Sequence, residues 1–328
     1  MKKDIVSPVK DPLAWLLSPE NPSVRYYTLV KLLDCPVESP EVQKARQAIM
    51  ESQLVQAILA LQDADGWWGE HDSALNPMYR GTIWQLGYLA ELGADISNTA
   101  IRRGAEVVWR NAQGEHLNFP NVSKIYHKFY PEDMPCMDGM ALWALIRLGY
   151  GLDDTRAAKA VSFISKALID SEMQCTFNVK LPCAWGGVKE LRALVAVPKD
   201  QRKGDIQSAI EKSANFFLDC NLAQADFPRK PKANVSQHWF KLGFPRNYQS
   251  DLLEMAVALA DAGYARDPRF KPLVDFLLSK RRADGTWKLE ETLPKMAVPF
   301  EQKGQPSRWI TWQAWYVLKS AGVDFPEK

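Results

Sequence analysis

Apolar residues recur along this chain with the period of helices, in two kinds of segment that alternate. Six segments start polar or aromatic, continue as an apolar stripe and stop at a Gly or another breaker: Ser23–Asp34, Tyr79–Gly93, Met137–Gly149, Cys183–Val197, Tyr248–Gly263 and Arg308–Gly322. Their ends recur roughly every 58 residues, room for two helices and two loops. Between them lie Glu41–Gln62, Asn98–Asn111, Asp154–Ser171, Gly204–Cys220 and Pro268–Arg282, which carry denser charge. The first set reads as inner helices buried on most sides, the second as outer helices with one solvated face. Asn98, Asp154 and Asp267 stand where N-caps belong, and Pro268 suits a first turn. Gly93, Gly149, Gly263 and Gly322 mark stops. No stretch alternates long enough to predict a sheet. The pattern predicts an all-α protein, an α/α toroid of about six helical hairpins whose inner helix ends surround a central cavity. It is read as one domain over 1–328, with 1–20 as an N-terminal extension.

Composition narrows the function. The chain has 328 residues, 46% hydrophobic and 24% charged, values of an ordinary globular protein. A net charge of +2 gives no electrostatic case for nucleic acid or an anionic membrane as the main partner. The longest run without a polar side chain, Gly139–Ile146, is far short of the ~20 residues of a membrane span. Asp4, Lys10 and Asp11 break any signal-peptide core. Five cysteines, an odd number, then read as reduced thiols of a cytoplasmic protein. Oligomeric state is left open. Trp 12 is a high count, and a cavity walled by such rings suits a hydrophobic small-molecule substrate.

Two loops share a spacing. Gln62–Trp68 reads Gln-x3-Gly-x-Trp, and Phe276–Trp287 reads Phe-Leu-x3-Arg-x3-Gly-x-Trp. The Gly allows a tight turn after a helix and the Trp folds back over the helix end. This spacing resembles the QW motif of squalene and oxidosqualene cyclases. With the segments GFPRNYQSDLLE, SKRRADGTWKLE and GQPSRWITWQAW, the chain resembles the squalene-cyclase/prenyltransferase α/α-toroid superfamily over most of 20–325, in particular its single-domain bacterial squalene-cyclase-like proteins.

The resemblance implies chemistry that this chain carries only in part. The cyclases protonate an alkene with an Asp-x-Asp-Asp cluster; the corresponding stretch here is Pro135-Cys136-Met137-Asp138, which keeps only Asp138. Prenyltransferase β subunits place zinc on Asp-x-Cys and a later His; here these are Asp138-Gly139-Met140 and Trp309-Ile310-Thr311. No metal and no cofactor are therefore expected. Single-toroid dehydratase-isomerases of terpene alcohols, which use Cys, His and Asp without metal, give a fold-level analogy.

Asp138, just inside a helix N-terminus, is the first candidate for proton transfer, with N-terminal capping as the other reading. His127, in a loop before an inner helix, is a candidate acid/base. Cys183 opens an inner helix and Cys175 lies near its start; they are candidate thiols, with buried filler as the alternative. Tyr27, Tyr79, Trp84, Trp143, Trp185, Tyr248, Trp309 and Trp312 recur near inner helix starts and are expected to bind substrate, as are Trp68, His238 and Trp239 in the loops. Arg308, like Arg25, Arg80 and Arg246, sits beside these aromatics and could take an anionic group. Asp251 joins the substrate set. The leading expectation is a terpene-cyclase-like enzyme, a lyase or isomerase acting by metal-independent isomerisation, hydration/dehydration or cyclisation. The alternatives are a glycan-active α/α barrel, with Asp138 and Asp251 or Glu254 as paired carboxylates, and a non-catalytic lipid- or partner-binding toroid.

Overall fold

The computed structural model of the protein describes residues 9–71, 73–111, 134–171, 173–246 and 248–325. Helix α1, Pro12–Leu16, is capped by the Asp11 carboxylate, which accepts from the Ala14 N–H, and it buries Leu16. Helix α2, Pro22–Tyr27, is capped by Asn21 and passes into a π-helical turn over Thr28–Leu32. The stretch expected as one outer helix is two, α3 over Pro40–Glu51 and α4 over Gln53–Leu59. Ser52 breaks it: its backbone is extended and its hydroxyl accepts from the Val55 N–H, which starts a new helix.

The remaining helices follow the expected segments closely. They are α5 (Thr82–Leu92), α6 (Thr99–Asn111), α7 (Pro135–Leu148), α8 (Thr155–Ser171), α9 (Ala184–Ala196), α10 (Asp205–Asp219), α11 (Leu252–Asp261), α12 (Lys271–Lys280) and α13 (Arg308–Ser320). Among the described residues the one sheet is a two-residue pair, β1 (Gln174–Cys175) against β2 (Leu181–Pro182), antiparallel. The protein is all-α.

Inner helices pack on one another in chain order: α5 on α7, α7 on α9, α9 on α11, α11 on α13, and α13 back onto α2 and its π-helical turn. All but α13 have an outer partner behind them, α3 on α2, α6 on α5, α8 on α7, α10 on α9 and α12 on α11. The inner helices bury almost every position, including charges, while the outer ones bury a stripe.

The two loops of matching spacing do one job twice. The Trp68 indole donates to the Ile58 carbonyl at 2.8 Å, and its N–H to the Thr82 hydroxyl at 3.0 Å. The Trp287 indole donates to the Leu277 carbonyl at 2.8 Å, and its N–H to the Thr311 hydroxyl at 3.1 Å. Each Trp thus caps the end of an outer helix and ties it to the next inner helix. This satisfies carbonyls that a helix end otherwise leaves without partners.

The tightest approach is α7 against α9. A Cβ on Gly139 would stand 2.5 Å from the Lys189 and Glu190 backbone, so no other side chain fits there. Gly87, inside α5, has nothing within 4 Å of the equivalent point. The two sites should answer Ala in opposite directions. Gly139→Ala is expected to cost ~1–3 kcal/mol by overpacking. Gly87→Ala should be neutral or stabilise by up to ~1 kcal/mol through helix propensity. Urea unfolding midpoints of the two variants check this, and equal shifts would contradict it.

Candidate functional site

The interior of the helix assembly holds charge at its middle. Lys189 on α9 places its ammonium 2.6 Å from both carboxylate oxygens of Glu254 on α11. Arg192, one turn further, also bonds Glu254 and reaches Glu91 on α5 at 2.9 Å. Its guanidinium lies 4.0 Å over the Trp143 ring. The Lys189 and Glu254 side chains are each 2% exposed. Burial works against the Glu254 carboxylate, yet Lys189, Arg192 and Arg246 hold its pKa down to about 2. Burial pushes Lys189 down to about 8 despite Glu254. Beside this cluster Arg246 pairs with Asp251, the N-cap of α11, which also accepts from the Glu254 and Gly243 N–H groups. Burial lifts Asp251 to about 6 against the pull of Arg246.

At the starts of the inner helices lies a cavity of about 270 Å³ with largely apolar walls. Trp84, Trp185 and Tyr248 line it together with three thiols, Cys136, Cys175 and Cys183. Cys175 ends β1 and Cys183 follows β2 as the N-cap of α9, so the hairpin sets the two sulfurs against each other. The Cys183 thiol bonds the Cys175 sulfur, and the N–H groups of Phe177 and Asn178 add to it. Together they outweigh burial and lower Cys175 to about 6. Cys183 goes the other way, raised by giving its proton to that bond and by burial. Cys136 is pushed up to about 12, chiefly by burial. Cys175 is thus the more acidic thiol of the pair and Cys183 the less acidic one.

Other expected residues fall elsewhere. Asp138 is 3% exposed in the first turn of α7, beside two wall residues, Cys136 and Met137, but is not itself in the wall. His127 lies outside the described residues. Tyr27, Trp143 and Trp312 line a different cavity, at the C-terminal ends of the inner helices. Tyr79 packs edge-on against Trp84 behind the thiol cavity, at 5.3 Å between ring centres. Trp68 is a helix latch, and Trp239 is fully buried with its indole donating at 2.9 Å to the Leu222 carbonyl, in the 3-10 turn that follows α10. Trp309 is fully buried and stacked on Phe244 at 4.3 Å. His238 is half-exposed beside Glu291, and Arg308 pairs with Glu20 over the Trp15 ring, both at the surface. Asp251 is engaged by Arg246. Among the described residues no three His, Cys, Asp or Glu side chains meet as a metal site.

Sequence reasoning passed over Glu91, Lys189 and Arg192 as members of one cluster. The signal available was a charge inside an otherwise apolar inner helix, as in AWGGVKELRALVA. It also left Met137 and Phe177 out of the cavity wall.

The chain matches no known family profile and no curated protein. It is similar to a protein from Actinoplanes of solved structure, at 16% identity over 92% of this chain and 90% of that one, with a TM-score of 0.41. It is also similar to two variant structures of the type II terpene cyclase MstE from Scytonema, each at 12% identity and a TM-score of 0.44. One is in complex with geranylgeranyl dihydroxybenzoate, its substrate, and covers 92% of this chain and 87% of the cyclase. The other is in complex with the product merosterolic acid A and covers 94% and 98%.

The charge cluster generates a stability test. Glu254→Gln strands the Lys189 ammonium without its carboxylate in a dry interior and should cost about 3 kcal/mol or more. Lys189→Met with Glu254→Leu removes both ions and should cost less than the sum of the single changes by over ~1 kcal/mol. Because Glu254 is held below its ordinary value, its contribution is in place above about pH 4.3 and is lost as the pH falls towards 2. Additive single and double variants in denaturant unfolding would show that the two charges are not coupled.

Proposed function

We propose that the inner and outer helices form an α/α toroid and that this chain is a terpene-cyclase-like enzyme, acting on a hydrophobic, terpenoid-type alcohol in the thiol cavity without a metal. The observation that carries the proposal is the apolar cavity whose aromatic wall faces the paired thiols Cys175 and Cys183. A volume of about 270 Å³ lies at the lower end of the ~300–1,000 Å³ common for small-molecule sites.

The acid available selects the reaction. Protonating an unactivated alkene requires a carboxylic acid kept strongly acidic, and the wall offers thiols instead. Departure of an allylic hydroxyl needs a weaker acid than an alkene does, because the cation it leaves is delocalised and would face the rings of Trp84, Trp185 and Tyr248. The Cys175–Cys183 pair passes a proton to the leaving oxygen and takes one from carbon. The pair ends with the protons it began with, and water leaves. Where water instead adds to another carbon of the cation before that deprotonation, and gives a proton back to the pair, the outcome is isomerisation. We therefore place hydration/dehydration and isomerisation ahead of polycyclisation. Asp138, behind Cys136 and Met137, is a positioning group whose charge raises the Cys136 pKa.

The glycan reading has less support, since Glu254 is bound to Lys189 and Arg192, and Asp251 to Arg246. Neither carboxylate is free for acid/base work across an open groove.

Incubation with a panel of ten- to twenty-carbon allylic terpene alcohols, read by gas chromatography, tests the proposal. Dehydrated or isomerised products are expected, and Cys175→Ser should lower the rate ~100-fold or more. Asp138→Asn should lower it less. Cys175→Ser turning over at the wild-type rate would remove Cys175 from the mechanism.

A further inference from the structure

The cavity at the C-terminal ends of the inner helices has no part in that reaction, and its chemistry differs. It measures about 280 Å³. Its walls carry five cations, Lys31, Arg147, Arg192, Lys199 and Arg202, against two carboxylates, Glu91 and Asp261.

Part of this charge has a local cause. Helix C-termini favour cations, and Arg202 gives its guanidinium hydrogens to the Val195, Val197 and Asp261 carbonyls. Both carboxylates are occupied. Glu91 accepts from Arg192, and Asp261 from Lys31 at 3.2 Å and the Tyr316 hydroxyl at 2.6 Å. Lys199 is left over at the exposed rim, and so is Arg147. Its hydrogen bond goes to the Tyr27 hydroxyl at 3.0 Å, and it makes no ion pair among the described residues.

A second observation is independent of charge. Trp312, 7% exposed and in the wall of the same cavity, has an indole N–H with no hydrogen-bond partner. A buried donor without an acceptor costs free energy until something accepts from it. Trp312 lies stacked on Tyr27 at 4.9 Å, and the Trp143 ring forms another flat wall.

We infer that this cavity is a second binding site, for a small organic anion: a carboxylate on a flat, apolar body. Its two oxygens accept from Arg147 and, once the enclosed edge of the Trp312 ring shifts to meet them, from the indole, while the body lies against the aromatic walls. One free guanidinium and one neutral donor match the two oxygens of a carboxylate. The additional oxygens and charge of a phosphate would face Glu91 and Asp261.

Calorimetric titration of the full chain with 2-naphthoate, its neutral amide 2-naphthamide and inorganic phosphate tests the inference. Naphthoate should bind at least tenfold more tightly than the amide, and more tightly than phosphate. Arg147→Gln should weaken naphthoate at least tenfold. Trp312→Phe, which keeps the stack and loses the donor, should weaken it several-fold and serves if the Arg147 variant does not fold. Cys175→Ser, at the other cavity, should bind naphthoate as the wild type does. Equal binding of naphthoate and naphthamide, preference for phosphate, or unchanged affinity in folded Arg147→Gln would each overturn it.

Discussion

The interior of this protein is organised by the ionic contact of Lys189 and Arg192 with Glu254 and Glu91. It joins α5, α9 and α11 through side chains buried between them, where a purely apolar interior would be either filled by large side chains or left as one continuous cavity. Such a cluster is a weak source of net stability, because desolvation takes back most of the attraction. Its effect is on arrangement. Each ion needs its partner, so the helices that carry them have one register in which no charge is stranded, and the space around them is divided.

That division gives the two ends different chemistry. Towards the helix starts, apolar and aromatic side chains and three thiols enclose a space that favours a hydrophobic guest. Towards the helix ends, where backbone carbonyls gather, cations dominate. The β1–β2 hairpin adds the one local device the helices cannot supply. It brings Cys175 against Cys183 and aims backbone N–H groups at one sulfur, which lowers the pKa of that thiol while its neighbour's is raised. Burial alone would have raised both.

Much of the helix plan was legible, because periodicity, caps and stops are local. Asn98, Asp154 and Gly93 each did what their residue type favours at a helix end. The break at Ser52 was missed because a Ser within a helical pattern reads as either a helix residue or a cap. The aromatics show the larger limit. Trp68, Trp143 and Trp239 look alike in sequence, yet the first latches a helix end, the last bonds a 3-10 turn and the middle one lines a cavity. The difference is set by which carbonyl the indole meets after folding, and that is a tertiary fact. Asp138 is similar: its place at the start of α7 was legible, its absence from the wall was not. Cys175 and Cys183 were found as candidates from position, but their pairing depends on a two-residue hairpin too short to leave a pattern.

The central claim is that Cys175 is a thiolate near neutral pH inside an apolar cavity, and it can be measured without knowing the substrate. Brief iodoacetamide labelling across pH 4–10, with each cysteine quantified by peptide mass spectrometry, gives its titration directly. The account predicts a Cys175 labelling midpoint near pH 6, with Cys136 unreactive until far higher pH. A Cys175 midpoint at pH 8 or above would contradict it.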